Sequence, residues 1–379
     1  MPPPLNERLA SIDMLRGLVM LLMLVDHVRE FFYLHQQVSD PMLISSTPPA
    51  LFFTRLSSHF CAPVFVLLTG LGAWLHGSKY GRTRGEAATY LAKRGLLLIA
   101  LELSVVTYAW SFAYPPKMFY LQVIWAIGLS MLALAALLWL PRTLQVALAS
   151  LILCGHNALD GIRFAQDAAG FIPWAILHDR SVIDVGFGIQ ARSSYPLLPW
   201  IGIILLGYAL GPWYASGMDP QARQRRLTTV GCALLTGFAV LRVLNTYGDH
   251  PWLAGGTTVQ TVMSFFNLTK YPPSLQFSLL TLGTGLLMLA WLERGRPWRR
   301  LAGIGSVPMF FYITHLYALH LLYLLLSAVF GPNQGNRYGL TDAWQIWALS
   351  VPVMLAMYWP CRWFARIRHS SSARWLSYF

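Results

Sequence analysis

Long apolar runs, separated by short polar segments, recur along the whole 379-residue chain. Most approach the ~20 residues that an α-helix needs to cross about 30 Å of hydrocarbon. Ten runs are predicted to span a membrane: 14–34, 60–77, 93–112, 119–140, 143–158, 196–215, 228–246, 275–293, 305–330 and 343–364. The apolar stretch 170–178 is too short to span and is predicted to be re-entrant or interfacial.

Helices are expected for these spans because each backbone amide in lipid has to be satisfied within its own segment. Composition agrees, since 56% of the residues are hydrophobic and only 11% are charged, whereas soluble domains carry about 25% charged residues. We therefore predict an all-α fold, a polytopic membrane helix bundle of about ten transmembrane helices. It is expected to form one integral domain over residues 1–379. The first apolar run continues too far for a cleavable signal peptide.

The basic residues indicate how the chain is oriented. With the N terminus placed in the cytoplasm, 18 of the 28 Lys and Arg residues fall on the inner side, eight on the outer side, and Arg16 and Arg242 within spans. The positive-inside rule favours this arrangement, in which both termini are cytoplasmic. Topology and anionic membrane lipid account for the net charge of +13 without a nucleic-acid partner.

The cysteines suggest no special chemistry. Cys61, Cys154, Cys232 and Cys361 are scattered and form no CxxC pair, which predicts neither a disulfide framework nor a zinc site. The sequence also contains no P-loop, dinucleotide fingerprint, GxSxG or HExxH motif. These motifs carry most of the common phosphate, nucleotide, serine and zinc chemistries. No metal site is predicted.

The first span, "SIDMLRGLVMLLMLVDHVREFFY" at 11–33, carries charges that a membrane helix normally excludes, at about 2.5–3.5 kcal/mol each near its centre. Arg16 and His27 are eleven positions apart, so they differ by only about 20° around the helix. Asp13 and Asp26 flank this line. We predict one polar seam, with Arg16 near the inner face and His27 in the outer half. Alternatively, Arg16 reaches the interface and Asp26 and His27 only tie helices together.

Other spans supply candidate partners. Glu102 is an isolated carboxylate near mid-membrane, for which we expect a basic partner such as Arg16 or a histidine; the alternative is a protonated side chain. His315 and His320 lie about 140° apart around their helix, so both cannot face one cavity equally well. His315, with Tyr312 beside it, is the preferred candidate.

Two predicted helix starts on the outer side share a form, "YPLLPWIG" at 195–202 and "YPPSLQFSLLTLG" at 271–283. Proline suits the first turn of a helix, and aromatic residues suit the membrane interface. These preferences explain most of both stretches. The functional alternative is that Tyr271 and Ser274 line an outer substrate mouth.

These blocks and "PMFFYITHLYALHL" at 308–321 resemble a bacterial family related to the catalytic domain of heparan-α-glucosaminide N-acetyltransferase. Its broader relatives include the membrane acyltransferase-3 proteins. The matching blocks run from residue 11 to about 320. Arg16 and His27 also fit the Arg-x10-His spacing of the first helix of acyltransferase-3 proteins. The resemblance thus implies His27 as the catalytic histidine and Arg16 as its motif partner.

The resemblance further implies transmembrane acyl transfer, with cytosolic acetyl-CoA as donor and a small-molecule or glycan hydroxyl or amine on the far side as acceptor. His27 is expected to act as general base or acyl carrier, with Asp26 or a facing carboxylate holding its tautomer. The predicted site comprises His27, Asp26, His315 and Glu102 for catalysis, Arg16 and Arg94 for CoA, and Tyr271, Ser274 and Tyr312 for the acceptor.

Several alternatives stay open. In the animal enzyme the catalytic histidine follows the first span, where this chain carries His35, so either His27 or a different residue does the chemistry. The bacterial inner membrane is the expected location, and a homodimer is compatible with the sequence. The second hypothesis is a proton-coupled transporter that uses Asp26, His27, Glu102 and His315 as a proton relay. The third is a membrane scaffold, which leaves the buried charges unexplained.

Overall fold

The computed structural model describes the backbone of residues 5–371 and the side chains of residues 10–368 and 370–371. The protein is mostly helical. Its helices are α1 (Leu5–Phe32), α2 (Pro49–Ser57), α3 (Cys61–Lys79), α4 (Arg84–Leu101), α5 (Thr107–Ser111), α6 (Val123–Leu137), α7 (Arg142–Gly155), α8 (Phe171–Leu177), α9 (Leu198–Ala209), α10 (Pro220–Leu244), α11 (Thr258–Phe266), α12 (Leu275–Leu292), α13 (Arg299–Gly305), α14 (Pro308–Phe330) and α15 (Ala343–Ser370). Its strands are β1 (Met118–Leu121), β2 (Val182–Gly186) and β3 (Ile189–Ser193).

The length and apolar composition of several helices confirm that this is a membrane protein. Within the described residues, four helical stretches are long and apolar enough to cross a bilayer: Pro49–Lys79, Pro220–Leu244, Leu275–Leu292 and Pro308–Phe330. The first stretch comprises α2, α3 and the 3₁₀ turn between them. Helix α1 is longer than most of these, at 28 residues, but it carries five charged side chains between 13 and 30. The count of ten spans and the cytoplasmic termini stay predictions.

Several predicted spans are shorter or differently divided in the structure. The span 119–140 begins as strand β1, so its helix α6 has 15 residues and extends only about 22 Å. The span 305–330 is divided between α13 and α14, which are separated at Ser306 and Val307. The span 93–112 is continuous, because a π-helical segment, Glu102–Val106, joins α4 to α5.

A small mixed sheet corrects the all-α prediction. Strand β3 pairs antiparallel with β2 and parallel with β1, in the order β1-β3-β2. A two-residue turn at Phe187 and Gly188 joins β2 to β3, and both residues have positive φ, 55° and 74°. Such a turn matches the twist of a hairpin. The sheet packs on α8, the helix predicted as the short 170–178 stretch, through Leu121, Ala175, Ile183 and Ala191.

The described chain forms two compact units. The first unit comprises the described residues up to Cys61, Leu253–Asn267 and the described residues from Met288 onward, and it therefore contains α1, α2, α11, α13, α14 and α15. The second unit comprises Ala62–Trp252 and Leu268–Leu287, with the sheet and the remaining helices. The single domain expected over 1–379 stays a prediction.

Helices α1 and α13 of the first unit approach each other closely. A Cβ atom at Gly305 would lie 1.8 Å from the carbonyl oxygen of Asp13, and one at Gly17 would lie 2.4 Å from the carbonyl oxygen of Leu301. No side chain fits at such distances, so two glycines allow the backbones to touch. This contact places the N-terminal half of α1 beside the end of α13.

Candidate functional site

A pair of histidines forms the centre of the candidate site in the first unit. Helix α1 carries His27 and α14 carries His315, and His27 Nδ1 lies 2.6 Å from His315 Nε2. Their rings are nearly parallel, at 4°, with centroids 4.9 Å apart. His315 is fully buried, whereas His27 is partly exposed. The structure therefore brings together the two histidines that the sequence singled out.

The surroundings of the pair define which nitrogens carry protons. His315 Nδ1 lies 2.8 Å from the backbone carbonyl of Phe311. A carbonyl only accepts hydrogen bonds, so Nδ1 of His315 is the protonated nitrogen and the Nε2 of a neutral ring is an acceptor. His27 Nδ1–H then donates to that acceptor. This hydrogen-bond assignment leaves the lone pair of a neutral His27 on Nε2.

Aromatic rings enclose the pair. Tyr312, which is buried, meets His27 and His315 edge-on, with centroids 6.1 Å and 5.7 Å away. His320 packs instead against Phe31 at 5.4 Å. The prediction that His315, and not His320, is the histidine of the pair agrees with this geometry. Exposed His35 lies outside the pair, and desolvation lowers its pKa.

Asp26 belongs to a buried ion cluster. Its two oxygens accept hydrogen bonds from Arg29 Nε at 2.9 Å and from Arg55 Nη1 at 2.6 Å. Glu30 also pairs with Arg29. We expected Asp26 or a facing carboxylate to fix the tautomer of His27, but His315 is the group at Nδ1 of that ring. The difference arises because Asp26 lies about 100° from His27 around the helix.

Arg16 occupies the other end of the seam predicted on α1. Its guanidinium donates to Asp13 at 2.8 Å and to the backbone carbonyl of Gly305 at 3.1 Å. Both Arg16 and His27 thus face the consecutive helices α13 and α14. The predicted polar seam is therefore present, and about 16 Å of helix separates its ends.

A basic cavity adjoins α13 in the same unit. It has a volume of about 450 Å³. Its lining consists of Arg299, Arg300, Gly303, Ile304, Tyr358, Arg362, Ala365 and Arg366. Four guanidinium groups and no carboxylate line this cavity, so it is suited to an anion with several charges. These arginines lie on the predicted inner side, but the sequence does not single them out, because their grouping depends on how α13 and α15 pack.

Glu102 lies in the second unit, where it is fully buried. Its Oε2 accepts a hydrogen bond from the backbone amide of Trp125 at 3.1 Å, and the amides of Gln122 and Ile124 also act on it. These amides lie at the start of helix α6, where backbone N–H groups have no partner within the helix. The expectation of a basic side-chain partner is therefore replaced by backbone amides. Its assignment to catalysis stays a prediction.

The remaining predicted residues also lie in the second unit. Tyr271 and Tyr195 share a hydrogen bond of 3.1 Å between their hydroxyl groups, which joins the two helix starts of similar sequence. Ser274 accepts from the amide of Phe277 at 3.0 Å and thus caps α12. Arg94 is partly buried and acts electrostatically on His76. Their roles in binding acceptor or CoA stay predictions.

A second polar group was not predicted. His156, Asp160 and His178 each offer a ligand atom, and these atoms lie within 4.8 Å of one another. The spacing of His156 and Asp160, four positions apart, is the signal that the sequence contained. The contribution of His178 depends on how α8 folds back.

Together these features define a helical membrane protein whose candidate active centre is a partly buried, hydrogen-bonded histidine pair. Residues 8–250, more than half of the chain, match the family of the heparan-alpha-glucosaminide N-acetyltransferase catalytic domain, and the chain belongs to that family. It is therefore an N-acetyltransferase-like membrane enzyme, and the resemblance to this catalytic domain that was found in the sequence is confirmed over residues 8–250. Among curated proteins none matches the chain.

Proposed function

We propose that this enzyme transfers an acetyl group from cytosolic acetyl-CoA to a sugar-type amine or hydroxyl on the outer side of the membrane. The observation that carries the proposal is the 2.6 Å contact between His27 and His315. Acyl transfer from a thioester needs a base or nucleophile that works near neutral pH, and imidazole is the side chain suited to both.

His27 supplies the reactive nitrogen in this proposal. As a general base, its Nε2 takes the proton of the acceptor while the acceptor's nitrogen or oxygen attacks the thioester carbonyl. The carbon–sulfur bond then breaks, and the CoA thiolate leaves and takes up that proton. As an acyl carrier, Nε2 itself attacks the carbonyl and expels the CoA thiolate. The acceptor then attacks the acetyl carbon, the bond to Nε2 breaks, and the acceptor's proton passes to the thiolate. In both routes positive charge develops on His27, and its hydrogen bond to His315 becomes stronger.

The basic cavity supports the donor half of the proposal. Its arginines fit the phosphate groups of CoA, and the positive-inside pattern puts them on the cytoplasmic side. Arg16 binds Gly305, directly after the lining residues Gly303 and Ile304. The seam of α1 then leads from the phosphate site to His27 over about 16 Å, a path suited to the long pantetheine arm of CoA.

Location and partners complete the proposal. The bacterial inner membrane is the expected location, with anionic lipids around the basic inner loops. Tyr271, Ser274 and Tyr312 are the candidate acceptor contacts. A small-molecule or glycan acceptor and a homodimer remain part of the proposal.

The test feeds labelled acetyl-CoA and a panel of amino sugars to membranes that contain the full chain. We expect His27→Ala to lower the transfer rate by about 10²–10⁴-fold, whereas His35→Ala, at an exposed position, leaves the rate unchanged. His315→Gln should retain more activity than His315→Ala, because an amide oxygen can accept the hydrogen bond from His27. A fully active His27→Ala protein, or a solute flux driven by a pH gradient without CoA, would overturn the proposal.

The donor site has its own test. The double change Arg299→Gln with Arg362→Gln should raise KM for acetyl-CoA by about tenfold, since charge-assisted hydrogen bonds to phosphate are lost, and should leave kcat nearly unchanged. Arg337→Gln removes an exposed arginine elsewhere and serves as the matched control. An unchanged KM in the double variant rejects the cavity as the CoA site while leaving the role of His27 open to its own test.

A further inference from the structure

Three residues of the second unit meet although they come from different parts of the chain. His156 directly follows α7 and opens a 3₁₀ turn, His156–Leu159, after which Asp160 comes next. His178 directly follows α8. One ligand atom from each side chain lies within 4.8 Å of the others.

The two histidines are almost completely buried. His156 is 1% exposed and His178 is 2% exposed. Among the described residues, neither ring nitrogen of His156 makes a hydrogen bond of normal geometry, and the same holds for Nδ1 of His178. The backbone carbonyl of Pro273 interacts with His156. Burying unsatisfied polar nitrogens is costly, and such groups often indicate an ion or a water molecule.

We propose that His156, Asp160 and His178 bind a divalent transition-metal ion, for which Zn²⁺ is the best fit. Two imidazole nitrogens and one carboxylate oxygen are a donor set that zinc uses with water in a fourth position. Bonds of about 2.0–2.2 Å place tetrahedral ligand atoms about 3.3–3.6 Å apart. His178 Nε2 and Asp160 Oδ1 already lie 3.4 Å apart.

Neighbouring side chains hold Asp160 and His178 in position. Asn157 donates to the second oxygen of Asp160 at 2.9 Å, and Trp174 stacks on His178 with centroids 4.9 Å apart. Partners of this kind orient metal ligands. The side chain of Asp160 is 50% exposed, so it has room to adjust its position when an ion binds.

Binding changes one hydrogen bond. His178 Nε2 lies 2.9 Å from the backbone carbonyl of His156. A protonated Nε2 donates a hydrogen bond to that carbonyl. A metal-bound Nε2 carries no proton, so this hydrogen bond is lost. The metal thus replaces a hydrogen bond as the link between the end of α7 and the end of α8.

The experiment uses the full chain in mild detergent, purified without a polyhistidine tag and stripped with a chelator. Zn²⁺ is added back and measured by mass spectrometry after gel filtration, and Co²⁺ is followed by its visible absorption. We expect one ion per chain, tetrahedral Co²⁺ bands and a Tm that rises on addition of Zn²⁺. His156→Asn and His178→Asn should abolish all three, and Asp160→Asn should weaken affinity by about 10–100-fold.

His250→Ala is the matched control, because His250 is an exposed histidine of the same unit and its loss should change nothing. Gel filtration confirms that each variant is folded. The proposal is wrong if the wild-type chain binds no stoichiometric metal. It is equally wrong if folded His156→Asn and His178→Asn bind as much metal as the wild type does, which would indicate an adventitious ion only.

Discussion

Removal of the Asp26 carboxylate tests how the buried charges of α1 are stabilised. Asp26 binds both Arg29 and Arg55, which are 1% and 6% exposed. Removing one partner of a buried ion pair costs about 3–5 kcal/mol, because the remaining charge is left uncompensated. Glu30 also neutralises Arg29, so we expect Asp26→Ala to lower the free energy of unfolding by about 3 kcal/mol, the low end of that range.

The same helix offers a matched control. Asp13 pairs with Arg16 at 2.8 Å, but their side chains are 31% and 19% exposed. Exposed pairs contribute about 0.2–1 kcal/mol, so Asp13→Ala should cost less than a third of what Asp26→Ala costs. Equilibrium unfolding in mixed detergent micelles measures both values. The double variant Asp26→Ala with Arg55→Met should recover part of the loss. Equal losses for the two single variants, or no recovery, would refute the reasoning.

Two further changes test the packing and the sheet. Gly305→Ala should lower Tm and destabilise the protein by about 1–3 kcal/mol, because its Cβ would collide with the carbonyl of Asp13. Gly303→Ala, where nothing lies within 4 Å, should be neutral or slightly stabilising. Similar Tm values for the two variants would contradict the close contact. Phe187→Asn should raise Tm, with a gain of about 1 kcal/mol, since Phe187 holds a left-handed backbone with an exposed ring that Asn adopts more readily. A lower Tm would show that the turn depends on the ring.

Helical periodicity explains why part of the site was visible in the sequence. Arg16 and His27 share a face because eleven residues make just over three turns, and the same geometry separates His315 from His320. Those predictions needed only the spacing within one helix. The fold class followed from apolar runs, which reflect the bilayer and not any particular neighbour.

What the sequence did not reveal depends on contacts between distant segments. The carboxyl group of Glu102 interacts with backbone amides at the start of α6, and backbone donors cannot be identified from the side chains of a sequence. Strand β1 was included in the predicted span 119–140, and β2 and β3 are short and gave no apolar run of their own. Asp26 was expected to contact His27 because the two residues are adjacent in sequence. Adjacent side chains in a helix, however, point about 100° apart.

The histidine pair also constrains where protons can go. Both nitrogens of His315 are occupied, Nε2 by His27 and Nδ1 by the carbonyl of Phe311. A carbonyl oxygen accepts a hydrogen bond but takes no proton at physiological pH. A proton captured at Nε2 of His27 therefore has no onward path through His315. The histidine pair is therefore a dead end for proton transfer. This property suits an enzyme that takes up and releases one proton in each turnover better than a pump that conducts protons across the membrane.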